Sequence, residues 1–152
     1  MLAGVGDFAL TSSAFGNGEE IPSRHACEGE DVSPALSWSD VPAGSRALAL
    51  VVDDPDAPVG TFTHWLATGI DPAAGGLAEG QSAPVEGQND FGALGWSGPC
   101  PPPGHGAHRY FFRLHALDAP LDVGFRSGRS EFDQALAGHV LATAELMGTF
   151  ER

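Results

Sequence analysis

The sequence predicts a mostly β domain with a sandwich-like core and a helical segment late in the chain. Three observations carry this. Short apolar or alternating runs recur between glycine- and proline-rich turns, helical spacing appears only after Ser130, and there is no internal repeat or second helical block. With 152 residues, 42% hydrophobic and 9% aromatic, the chain can bury one sizeable core and is too short for two ordinary domains, so residues 1–152 read as one.

The elements follow in order. Phe8 to Ser13 reads as a first strand, Gly16 to Asp31 as an irregular loop, and Ala35 to Trp38 as a short strand entering the turn at Val41 to Gly44. Arg46 to Val52 is short and nearly all apolar, as expected of a strand buried on both faces. It ends in Asp53-Asp54-Pro55-Asp56-Ala57-Pro58. Thr61 to Ile70 is β-branched and aromatic, and period-two geometry places Phe62, His64 and Leu66 on one face and Thr63, Trp65 and Ala67 on the other.

Asp71 to Gly95 lacks periodicity and reads as a long surface excursion. Gly98 to Gly106 contains four prolines, which remove donors and fix φ, so it is a stiff connector. Ala107 to Asp118 is the strongest strand, with His108, Tyr110, Phe112 and Leu114 on one face. In the tail, Ser130 and Asp133 resemble a capping pair, and Phe132, Leu136, Val140, Ala144 and Met147 recur at helical spacing, which predicts a C-terminal helical segment breakable at Gly138.

Charge narrows the partners. Twenty acidic residues face seven basic ones, and a net charge of -13 repels polyanions, so nucleic acid and anionic membrane surfaces are poor partners. No stretch is long and apolar enough to span a bilayer, and the N-terminus lacks the pattern of a signal peptide, so a cytoplasmic protein without integral membrane contact is expected. In such a reducing compartment Cys27 and Cys100, the two cysteines, are expected to stay free thiols, and a disulfide between them is the alternative that their spacing leaves open.

The candidate chemistry lies at strand ends. Asp54 and Asp56 flank Pro55 on a stiff loop, and His64 and His108 each stand near a strand entrance with an aromatic two residues away. If those entrances meet, they form a small pocket with polar tips and apolar walls. No HxH, HxxxH or HxxEH spacing accompanies the histidines, so no metal or other cofactor is expected. Cys100 could act as a hydrolase nucleophile with these histidines, but no helix N-terminus or nucleophile elbow accompanies it. Anion capture, with imidazole and backbone N–H groups on phosphate oxygens, needs no further parts.

Asp54-Pro55-Asp56-Ala57-Pro58, His64-Trp65, Gly98-Pro99-Cys100-Pro101-Pro102 and His108-Arg109-Tyr110-Phe111-Phe112, in that order, resemble the motif set of the phosphatidylethanolamine-binding protein family. Ser33-Pro34-Ala35-Leu36-Ser37-Trp38 and Gly138-His139-Val140-Leu141-Ala142 are similar to its short bacterial and archaeal, Raf-kinase-inhibitor-like branch. The resemblance implies a Greek-key β-sandwich with a C-terminal helix and an anion pocket at one end. By position, Asp54, Asp56, Pro58, Phe62, His64, Gly98, Pro101, Pro102, His108 and Tyr110 would line it. Only Val59 to Thr63 separate the aspartate loop from the histidine strand, where mammalian members have a bulkier insertion, so inhibition of a eukaryotic kinase and lipid binding as such are not carried over. The expectation is a non-enzymatic binding protein for a phosphorylated or otherwise anionic ligand that modulates a kinase or protease partner, and the resemblance admits a homodimer. The competing readings are the Cys100 hydrolase and a protein-interaction domain with a vestigial pocket. A cis peptide is expected at Ala57–Pro58 or within Pro99 to Pro103, and anion affinity is expected to rise as pH falls through neutrality.

Overall fold

The computed structural model describes residues 7–152. Two antiparallel sheets face each other, as the alternating sequence predicts. The smaller has the order β1-β2-β5, from Ala9–Thr11, Leu36–Ser39 and Gly76–Leu77. The larger has the order β6-β4-β3-β7-β8, from Val85–Glu86, Phe62–Ile70, Ala47–Asp54, His108–Leu117 and Val140–Phe150. β7 returns from a long connection to lie beside β3, giving the order β7-β3-β4-β6 of a Greek key.

β3 explains the layering. All eight of its residues are buried. Leu48, Leu50 and Val52 join the core between the sheets, while Ala47, Ala49 and Val51 pack with Phe132 and Leu136 of helix α1, Arg129–Leu136. The small residues on the helix side leave room for the Phe132 ring. A central strand covered on both faces requires the unbroken apolar run seen in the sequence.

The tail departs from the helical reading. α1 ends at Leu136, Gly138 takes φ +82, and Val140–Phe150 is the longest strand. The cap is also displaced: Gly128 is the N-cap, and Glu131 Oε2 accepts its N–H. The reason lies in the spacing. Leu136, Val140 and Ala144 are four apart, which satisfies a helix face and, being even, a strand face equally. In the strand, Ala144, Leu146 and Phe150 enter the inter-sheet core.

A second departure concerns β4. Val52 pairs with Trp65 while Asp53 pairs with Thr63, so His64 is the extra residue of a β-bulge. The bulge reverses parity beyond it: Trp65 and Ala67 enter the inter-sheet core and Leu66 faces the helix side, contrary to the simple alternation.

Candidate functional site

β3 ends at Asp54, and Asp54 Oδ1 accepts the N–H of Asp56 at 2.7 Å, folding the Asp-Pro-Asp segment into a tight turn. Beside it β7 begins with His108, whose Nδ1–H donates to Asp54 Oδ2 at 2.7 Å. Both residues are 2% exposed. On the other side of β3 stands His64, 3% exposed, which donates Nδ1–H to the Ser97 carbonyl at 2.7 Å. A carbonyl only accepts, so this bond assigns the proton to Nδ1 and leaves Nε2 as the ring nitrogen available to the cavity. The bulge places His64 there, aiming it toward Tyr110, with ring centroids 5.2 Å apart.

These groups form the floor of a cavity of about 200 Å³. Its walls include Pro58, Phe62, Phe91, Pro101 and Pro102, and Val59 and Phe91 stand at its rim, 91% and 49% exposed. Pockets for drug-sized ligands run to roughly 300–1,000 Å³, so this one suits a small group. Burial pushes the His64 imidazole below the usual histidine value, outweighing the raising effects of the Ser97 carbonyl and Asp54. Burial, and then the charge of Asp54, pushes the Tyr110 hydroxyl well above its usual range, so it remains an O–H donor.

Eight of the ten residues assigned to the pocket from the sequence line this cavity: Asp54, Pro58, Phe62, His64, Pro101, Pro102, His108 and Tyr110. Asp56 and Gly98 do not. The Asp56 carboxylate turns away to accept Arg109 Nε and Nη2 at 2.9 and 2.8 Å and the Arg109 backbone N–H at 2.9 Å. The Arg109 guanidinium holds its pKa down to about 2. Gly98 is a packing glycine: its N–H donates to Asp31 Oδ1 at 2.7 Å, and a Cβ there would collide with the His25 carbonyl oxygen.

Sequence reasoning missed Ala57, Val59 and Phe91 in the lining and named Cys100 there only as the nucleophile of the hydrolase alternative. Phe91 arrives from the long excursion, where buried Asn89 organises the chain: its Oδ1 accepts the Phe91 N–H at 2.9 Å and its Nδ2 donates to Ser97 Oγ at 2.9 Å. An Asn followed by Asp90 and Gly92 is a turn signature that could have marked this segment.

Two further expectations are corrected. Cys27 and Cys100 are joined in a disulfide, with Cα atoms 5.4 Å apart, because the Ser23–His25 turn carries Cys27 against the Pro99 segment, where its N–H donates to the Pro99 carbonyl at 3.0 Å. No cis peptide bond occurs among the described residues. The turn after Asp54 is closed by its side chain, and the Pro99 to Pro103 segment is anchored by the disulfide and by Arg152 Nε on the Pro101 carbonyl, so neither relies on a cis bond.

Known proteins share this architecture. The crystal structure of a phosphatidylethanolamine-binding protein homologue from Chlamydia trachomatis superposes with a TM-score of 0.90 at 41% identity, covering 95% of this chain and 97% of its own. YbcL of E. coli, a member of the mammalian PEBP family, gives 0.91 at 32% identity over 97% and 99%. A UPF0098 protein of Pyrococcus abyssi is 42% identical, covering 99% of this chain and 90% of its own length. The phosphatidylethanolamine-binding protein family profile matches residues 11–151, and the chain belongs to that family.

Proposed function

We propose that this chain is a non-enzymatic binding protein whose cavity takes a small oxyanionic group, such as phosphate or a phosphorylated headgroup. The observation that carries the reading is the meeting of His64, His108 and Asp54 on the floor of one small, apolar-walled cavity. An anion there needs positive charge, because the Asp54 carboxylate repels it. His64 Nε2 becomes a donor on protonation, and burial opposes that protonation until a ligand is present. Binding is therefore coupled to proton uptake.

A hydrolase reading through Cys100 would need a free thiol, and Cys100 is bonded to Cys27. That bond also favours an oxidising compartment over the cytoplasm. Among the described residues no helix is long and apolar enough to cross a membrane. The family resemblance suggests a kinase or protease as the partner, and the exposed rim at Val59 and Phe91 is where such a partner would sense occupancy.

The reading is tested by calorimetric titration of inorganic phosphate and a phosphomonoester at pH 6 and pH 8, in wild type, His64→Ala and His108→Ala, with and without chelator. Tighter binding at pH 6, indifferent to chelator and weakened by both substitutions, supports it. Tighter binding at pH 8, or indifference to both substitutions, overturns it.

A further inference from the structure

His108 spends both ring nitrogens inside the protein. Its Nδ1–H goes to Asp54 Oδ2, and its Nε2 lies 2.6 Å from Nδ1 of His105. With Nδ1 protonated toward the carboxylate, neutral His108 has a lone pair at Nε2, so His105 Nδ1–H is the donor and His105 Nε2 is left bare. His105 does not line the cavity, and it is exposed on a turn between Gly104 and Gly106, both with positive φ of +76 and +90. A hydrogen-bonded chain therefore runs from the exposed His105 through His108 to Asp54 in the cavity floor.

We propose that His105 is the proton-carrying positioning residue of this cavity, the outer member of a His105–His108–Asp54 chain that delivers positive charge to the floor from an exposed turn outside the cavity. The proposal rests on the anion-binding reading above. A proton taken at His105 Nε2 is balanced by transfer of the Nδ1 proton from His105 to His108 Nε2. His108 then carries both ring protons beside Asp54, and His105 keeps its new Nε2 proton and is neutral. The charge thus appears where it offsets the Asp54 carboxylate, while the proton enters from the solvent side.

The surroundings suit one added proton. Asp54 faces His108 from the end of β3, and Asp56 faces it from the following turn, with its charge offset by Arg109 of β7. His64 and Tyr110 face the shared cavity from β4 and β7. Arg152 lies nearby: its carbonyl accepts the Gly104 N–H at 3.0 Å, and its guanidinium bonds the Pro101 carbonyl and lies 3.8 Å from Glu28.

The test compares wild type with His105→Ala and His105→Gln, the latter keeping an N–H donor for His108 but unable to carry the proton. In the ligand-free protein, ¹⁵N-detected histidine titration between pH 5 and 9 should show the His105 and His108 rings changing together over one pH range. Both substitutions should displace the His108 step. With inorganic phosphate, calorimetry in two buffers of different ionisation enthalpy should show fewer protons taken up by His105→Gln than by wild type. Its gain in affinity from pH 8 to pH 6 should be smaller than that of wild type. A His108 step indifferent to both substitutions, or equal proton uptake, overturns the proposal. Failure of wild type to bind phosphate removes the anion reading and the charge-delivery role with it, while the ligand-free titration still decides whether the chain exists.

Discussion

The His108 imidazole and the Asp54 carboxylate meet at 2.7 Å across the adjacent ends of β7 and β3, both almost fully buried. Asp53 and Phe111 are the last paired residues between these strands, so Asp54 and His108 both lie past the end of that ladder. Their bond links the last residue of β3 to the first residue of β7, so it serves the fold and the site together.

Removing one member should be costly. Asp54→Ala leaves the buried His108 Nδ1–H without its acceptor and the Asp56 N–H without its turn partner, and leaving a buried donor unsatisfied costs about 1–3 kcal/mol. Urea unfolding at pH 7 checks this. A loss below about 1 kcal/mol would mean that the pair is not integral to the fold.

Asp56 should behave differently although it lies two residues away. Its pKa is held down to about 2 by Arg109, below an ordinary value of 3.8, so its contribution to stability is full above pH 4 and is lost as pH falls through about 2. Asp56→Asn should therefore flatten stability between about pH 4 and 2, read by denaturant unfolding. Phosphate affinity at pH 6 should change less than about twofold, since the side chain lies outside the cavity.

The contrast between these aspartates shows what the sequence could and could not convey. β3 and β7 were legible because a continuous apolar run and a ten-residue alternation each have one simple reading. Which aspartate enters the cavity depends on Arg109, some fifty residues away, and no local pattern reports that partner. The face of Trp65 was misassigned because a bulge belongs to the pairing of two strands rather than to either sequence. Phe91 and the Cys27–Cys100 pairing were hidden for the same reason, since both depend on segments brought together only by the completed fold.

The disulfide closes a sequence separation of 73 residues, and chain-entropy reasoning gives it about 4 kcal/mol. Purified protein denatured without reductant should show no free thiol. Cys27→Ser/Cys100→Ser should unfold at clearly lower denaturant. Because Cys100 is in the cavity lining, the same variant should also lose phosphate affinity. Two reactive thiols in the denatured protein from an oxidising preparation would contradict the pairing.

The last prediction concerns His64 and acid. Burial lowers its native pKa below the ordinary value of about 6.5, so between those two values the unfolded chain binds more protons than the folded one. Stability without ligand should therefore be highest above pH 6.5 and decline as pH falls toward the native pKa, levelling off below it. His64→Gln, which keeps an N–H donor for the Ser97 carbonyl but does not titrate, should remove this part of the decline, seen as a smaller stability difference between pH 7.5 and 5 than in wild type. Saturating phosphate should oppose the decline in wild type, because an anion at Nε2 favours the protonated ring, and should do little in His64→Gln. Denaturant unfolding of both proteins at the two pH values, with and without phosphate, separates these effects. An identical pH slope in the two ligand-free proteins would show that His64 is not the group that burial holds neutral.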